Sequence, residues 1–353
     1  MKMKAVVKTR PEAGAEWLDV DVPRPDAGQV LVKVTATSIC GTDVHIYQWE
    51  RWAQNRIGPQ RLPQILGHEM AGEVVEVGAN VHGVRPGDNI SVETHIPCGY
   101  CRQCLSGQMH ICQNLKIFGV DRDGCFAEYT TVPEQVIWKN DSSIPPAYAS
   151  VQEPLGNAVY CTLVEPVAGK TVMIFGDGPI ALFAVGVARV SGASMIILAG
   201  MEPARLDIAR KMGADQVINV LNTDAVKSVL DATDGVGADV VLEMAGAKKA
   251  IEEAFRCVRK GGRVSAFGIP SEPVELNWND AIVFRGVTVY GINGRLMFET
   301  WLTVRNLLAS KRLDISPVVT HKLPLEEFHK GFDLMITSPK TSGKVVLFPH
   351  GVR

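Results

Sequence analysis

The stretch "KTVMIFGDGPIALFAVGVARVSGASMIILAG", Lys170 to Gly200, limits the fold of this chain more than any other. It reads as an apolar strand, a glycine turn, a helix of alanine and valine, a second glycine and another apolar strand. A strand that is apolar at every position must be buried on both faces, as in a parallel sheet with helices above and below. "ADVVLEMAG", "GGRVSAFGIP" and "VTVYGING" continue as buried strands, with helical segments such as "AIEEAFRCVRKGG" between them. The alternation predicts a doubly wound parallel sheet.

Gly176, Gly178 and Ala181 form G-x-G-x-x-A where the first strand turns into its helix. The first glycine permits the tight turn, the second lets the backbone approach a pyrophosphate, and the small third residue allows close packing of helix on strand. A glycine triplet by itself also fits an ordinary strand-to-helix turn; between two apolar strands it reads as a dinucleotide site. About twenty residues beyond the glycines, at the end of the second strand, a carboxylate normally receives the ribose hydroxyls of NAD. Here "ILAGMEPAR" puts Gly200 at that point. Glu202 could still reach a ribose if the loop bends, and Arg205 could contact a 2′-phosphate or lie against the adenine. On these residues the choice between NAD and NADP is open.

Before residue 155 the texture differs. "QVLVKVTAT", "GEVVEVG", "GDNISVETH" and "FAEYTTVP" are short strands punctuated by Gly and Pro, the pattern of an all-β barrel with long loops over residues 4 to about 150. Toward the C-terminus the elements are mixed, with "LEEFHKGFDLMITS" helical and "GKVVLFP" a closing strand. Two domains suit a chain of 353 residues, longer than the roughly 250 to 300 at which one core stops growing.

Half of the eight cysteines lie in "PCGYCRQCLSGQMHIC", Pro97 to Cys112. The N-terminus "MKMKAVVKTR" has no apolar h-region and no stretch is long and apolar enough for a membrane span, so a cytoplasmic, reducing setting is expected and disulfides are not. A net charge of -2 gives no reason to expect nucleic acid or an anionic membrane as a partner. The Cys-x2-Cys-x2-Cys-x7-Cys spacing lets one loop wrap a tetrahedral ion, and zinc is the expected one. Thiolates at Cys98, Cys101, Cys104 and Cys112 would fill its shell and leave no position for water or substrate. Apolarly packed thiols or an iron–sulfur cluster are the alternatives, although Gly99, Gln103, Ser106 and Gly107 offer no core to pack in.

A zinc that does chemistry needs other ligands and an open position. "SICGTDVH" offers Cys40, Thr42 and His45, and "ILGHEMAGEVVEVG" offers His68 and Glu69, a mixed set suited to polarising a hydroxyl or carbonyl oxygen. Taken singly, Cys40 reads as a small buried apolar residue and His68 as a satisfied loop histidine.

Together with "VETHIPCGYCRQCLSGQMHICQN", "GVDRDGCFAEY", "QEPLGNAV" and "YGINGRLMFETW", these motifs make the chain resemble the zinc-dependent medium-chain dehydrogenases over nearly its whole length, and within them the threonine dehydrogenase branch. The resemblance implies an α/β protein: a GroES-like β-barrel catalytic domain at 1–155 and 296–353, carrying a structural zinc lobe at about 95–115, and a Rossmann dinucleotide-binding domain at 156–295. It implies two zinc ions, the catalytic one on Cys40, His68 and Glu69 with Glu153 ligating or close by, and the structural one on the four-cysteine loop. Thr42 and His45 would relay the substrate's hydroxyl proton to solvent, and His95 would influence substrate choice unless it is a loop histidine without a role. Arg295 would lie near the cofactor, or else form a surface salt bridge. The branch implies NAD, a homotetramer, and oxidation of L-threonine to 2-amino-3-oxobutanoate. A polyol or diol dehydrogenase of the same family is the alternative substrate reading, and a cofactor-binding module without catalysis is a third, against which the intact Cys40, His68 and Glu69 count.

Overall fold

The computed structural model describes residues 1–352. The chain divides into two compact units: the first holds Met1–Glu153, Val319–Ser338 and the chain from Lys344 on, and the second holds Pro154–Val318 and Pro339–Gly343.

In the first unit a seven-stranded sheet runs in the order Ile137–Lys139, Asn89–Val92, Glu69–Val77, Gln29–Ser38, Lys344–Phe348, Val319–Pro324, with Tyr129–Pro133 also paired to Gln29–Ser38. Val30, Val32, Val34 and Ala36 alternate along the central strand and are all fully buried, the period-two pattern of a sheet face against a core. Register matters here. Ser38 pairs with Glu69 on one neighbour and with Val346 on the other, which brings three distant parts of the chain to one end of the sheet. A separate sheet sets Lys2–Lys8 between Glu16–Asp21 and Gln64–Ile65.

The second unit holds six parallel strands in the order Gln216–Asn219, Met195–Gly200, Thr171–Phe175, Ala238–Glu243, Val258–Ala266, Thr288–Gly291. Numbered along the chain this is 3-2-1-4-5-6, and the order reverses beside Thr171–Phe175, the strand that feeds the glycine turn. Val172, Met173 and Ile174 are fully buried, as an apolar run between two helical layers requires.

Three expectations need correction. The segment "AIEEAFRCVRKGG" is helical only as far as Cys257, because Val258 turns into the next strand and pairs with Ala238. "LEEFHKGFDLMITS" opens with a 3-10 turn at Leu325–Glu327 before the helix Phe328–Ile336. The chain also returns to the first unit at Val319 rather than at 296. Leu313 is buried in the second unit so close to Gly186 that a Cβ there would come within 2.8 Å of its Cδ1, and this packing keeps the segment around Glu299–Ala309 with the parallel sheet. Among the described residues, no helix is long and apolar enough to cross a membrane.

Candidate functional site

Cys40 follows the central strand and caps the helix Gly41–Tyr47, while His68 and Glu69 enter the neighbouring strand. The sheet register therefore joins two sequence motifs. The ligand atoms of Cys40, His68 and Glu69 lie within 4.8 Å of one another, and His68 and Glu69 are buried. A thiolate, an imidazole and a carboxylate converging at that distance form a donor set suited to zinc, with three protein ligands and room for a fourth.

The surrounding groups orient this set. The Cys40 amide donates to Asp43 Oδ2 at 2.9 Å, and Asp43 Oδ1 lies 3.1 Å from His68 Nδ1. With Nδ1 engaged by a carboxylate, Nε2 is the nitrogen left to ligate, the usual arrangement for metal-binding histidines. Burial disfavours the His68 imidazolium, yet the charges of Asp43 and Cys40 hold its pKa well above the ordinary value. That much negative potential around a buried ring favours a bound cation.

Glu69 is fully buried and held from several sides. Lys344 Nζ, also buried, donates to Glu69 Oε1 at 2.7 Å and to the Ile39 carbonyl at 3.1 Å, and it contacts Oε2 more closely; the Ser38 hydroxyl also bonds Oε2. Burial and the nearby Glu153 push the Glu69 carboxyl up, whereas Lys344 pulls it down. Glu153 is buried outside the three-membered cluster, its Oε1 accepting from Thr94 Oγ1 at 3.0 Å. Thr94 Oγ1 also lies 3.1 Å from the His68 carbonyl oxygen, so its single proton is shared between Glu153 and His68.

The other expected catalytic residues are divided. Thr42 Oγ1 stands 3.9 Å from Cys40 Sγ. His45 is exposed on the same short helix, with Nδ1 2.8 Å from Glu50 Oε2. His95 is not on a loop. It is buried in a two-residue strand opposite Ile117, and its amide donates to Glu93 Oε1 at 2.9 Å.

In the four-cysteine loop, Cys101 Sγ lies 3.5 Å from Cys104 Sγ and 3.7 Å from Cys112 Sγ, close to the roughly 3.8 Å edge of a tetrahedron with 2.3 Å Zn–S bonds. All eight cysteines are free thiols. Four thiols so close cannot all ionise without a cation. Against the effect of burial, the Tyr100 amide and Asn114 bring Cys98 down to about 6, while burial and its neighbours push Cys104 up to about 12. The amides of Cys98 and Asn114 both point at Cys112 Sγ at 3.3 Å, as donors to a thiolate do. Cys101→Ser should lower the unfolding midpoint by roughly 10 °C, the effect of several kcal/mol lost from a metal-stapled domain. Calorimetry of the variant checks this, and an unchanged midpoint would contradict a structural metal.

In the second unit Gly176 adopts φ +113° and Gly178 starts the helix Pro179–Val190, whose first turn has no side-chain cap. A Cβ on Gly178 would meet nothing within 4 Å, so the uncapped amides can be approached by an anion, and Ala181 is buried beneath them. These features fit a dinucleotide pyrophosphate. Glu202 caps the next helix, Pro203–Lys211. Arg205 is buried, with Nε donating to the Ser342 carbonyl at 2.7 Å and Nη1 3.9 Å from Asp177 Oδ1. Arg295 is also buried, with Nη1 donating to Asn157 Oδ1 at 3.0 Å and its stem against Gly156, which excludes the surface salt bridge.

Sequence reasoning missed Asp43, Ser38, Thr94, Asp177 and Lys344. Asp43 and Asp177 lay inside quoted motifs as unassigned positions. Lys344 carried no local signal, being 275 residues from Glu69.

The alcohol dehydrogenase GroES-like domain model matches residues 26–145 and the zinc-binding dehydrogenase model residues 179–310. An L-threonine 3-dehydrogenase from Pyrococcus furiosus is 54% identical over 346 residues, 98% of each chain. A short chain alcohol dehydrogenase from E. coli CFT073, solved with NADH, superposes with a TM-score of 0.90 at 27% identity, over 98% of this chain and 99% of that one. A putative zinc-binding dehydrogenase from Sinorhizobium meliloti 1021, solved with NADP, gives 0.89 at 31% identity, over 99% of this chain and 100% of that one.

Proposed function

The chain belongs to the zinc-dependent alcohol dehydrogenase family, and on that premise we propose that it oxidises the 3-hydroxyl of L-threonine to 2-amino-3-oxobutanoate, with NAD as acceptor and two zinc ions per chain. The observation that carries this reading is the convergence of Cys40, His68 and Glu69 in a chain so similar, end to end, to a threonine dehydrogenase.

A secondary alcohol is far too weak an acid to ionise at neutral pH, so its oxidation needs both charge stabilisation and an acceptor for hydride. When bound, zinc supplies Lewis acidity toward the hydroxyl oxygen and the nicotinamide accepts the hydride. The chain's own groups do the rest. Cys40, His68 and Glu69 would hold the metal, and Asp43 fixes the His68 ring. The Thr42 hydroxyl, beside Cys40, accepts the substrate proton and hands its own outward, and the His45 imidazole takes it up at the surface, where Glu50 holds the ring. Gly176 and Gly178 open the start of Pro179–Val190 to the pyrophosphate, which sets the cofactor's position.

A panel of L-threonine, 2,3-butanediol and sorbitol, followed by reduced nicotinamide absorbance, tests the substrate. We expect kcat/KM for L-threonine to exceed that for either diol by about 100-fold or more, because a site built to bond an ammonium and a carboxylate rejects analogues that lack them. Faster turnover of a diol would replace the threonine assignment with the polyol one.

A further inference from the structure

We infer that Asp177, the residue between the two glycines of the turn, supplies the ribose-binding carboxylate that Gly200 lacks, and that this relocated acid selects NAD over NADP. The inference deepens the cofactor choice proposed above and rests on it.

The argument begins with the space at position 200. A Cβ built on Gly200 would lie 2.6 Å from both Cβ and Oδ2 of Asp177, closer than non-bonded carbon atoms approach. The volume that a side chain at the end of Met195–Gly200 would enter is therefore already filled by a carboxylate arriving from the glycine turn. Asp177 Oδ2 accepts the amides of Met201 at 2.7 Å and Glu202 at 2.8 Å, so the carboxylate is pinned across the end of the second strand. Glycine at 200 and aspartate at 177 thus form a matched exchange: the acid is present at the strand end but is carried by a different element.

Its charge sets the selectivity. One oxygen is committed to the two amides, while Oδ1 has only Arg205 Nη1 near it, at 3.9 Å, too far for a hydrogen bond. A carboxylate oxygen in that state can accept from ribose hydroxyls, whereas a 2′-phosphate there would face like charge. Arg205 does not reverse this preference. Its side chain is buried and its Nε is bonded to the Ser342 carbonyl, so it is held within the fold rather than extended as a phosphate clamp.

The test measures NADH and NADPH binding to the zinc-replete protein by nicotinamide fluorescence, without substrate, so that it is independent of turnover. Asp177→Asn keeps an acceptor for Met201 and Glu202 and removes the charge. We expect it to weaken NADH by about 10- to 100-fold, the range of one charge-assisted hydrogen bond or slightly more, and to leave NADPH unchanged or tighter. The exchange variant D177G/G200D, which removes the 177 Cβ that a side chain at 200 would meet and returns the acid to the second strand, should recover most of the NADH affinity lost in D177G. NADH affinity in Asp177→Asn within twofold of the parent, or no recovery in the exchange variant, would overturn the inference while leaving the threonine reading intact. A parent that prefers NADPH would overturn it together with the choice of NAD. Failure to bind either nucleotide would instead remove the dehydrogenase reading itself.

Discussion

Cys40→Ser is expected to lower kcat/KM by on the order of 10³-fold or more while the protein remains folded, because Lewis-acid stabilisation is worth several kcal/mol and each 1.4 kcal/mol is a factor of ten. The thiolate is the one anionic sulfur in the Cys40, His68 and Glu69 set, and a serine hydroxyl at neutral pH brings no charge to a dication. Cys40 caps only a seven-residue helix, and Asp43 keeps that cap through the Cys40 amide, which serine retains. The unfolding midpoint should therefore move by only a few degrees, in contrast to Cys101→Ser. Elemental analysis supplies the second readout: zinc should fall from about two to about one per chain, since the four-thiol loop keeps its own ion. A variant that kept both activity and full zinc content would remove Cys40 from the site.

What could be read from the sequence was local. Lys170 to Gly200 displayed strand, turn and helix within one window, and its two strands, Thr171–Phe175 and Met195–Gly200, are neighbours in the parallel sheet, whereas the edge strand Gln216–Asn219 gave no such signal. The four cysteines declared themselves by spacing alone, since a single loop holds every ligand. The domain return at Val319 was not legible, because a helical pattern around Glu299–Ala309 does not say which core it will pack on, and that depended on Leu313 meeting Gly186. Gly200 reads as a missing acid because its meaning depends on a neighbour across the turn, and Asp177 occupies a variable position of the glycine motif that carries no signal of its own. Both misses have one physical origin: the contact is made between elements, and periodicity reports only what happens within one.

Lys344→Met should be the most destabilising single change at the candidate metal site, and its size should depend on zinc. The Lys344 ammonium and the Glu69 carboxylate are both fully buried and meet in a direct ion pair. Removing one partner of such a pair leaves an uncompensated buried charge, at a cost of about 3–5 kcal/mol, or roughly 10 °C in a domain of this size. Glu69, however, has two prospective counter-charges, Lys344 and a metal held with Cys40 and His68. When the metal is bound, it takes over neutralisation of the carboxylate, so the variant should lose clearly less stability in zinc-replete protein than after chelation. Glu69→Gln in the Lys344→Met background removes both charges and should restore much of the chelated protein's stability, since the penalty arises from the unpaired ion rather than from lost packing. Thermal unfolding of the parent, the two single variants and the double variant, each with and without zinc, gives the coupling energy directly. Equal losses with and without the metal would mean that Lys344 and zinc do not share Glu69, and the carboxylate would then belong to the scaffold of the site rather than to its coordination shell.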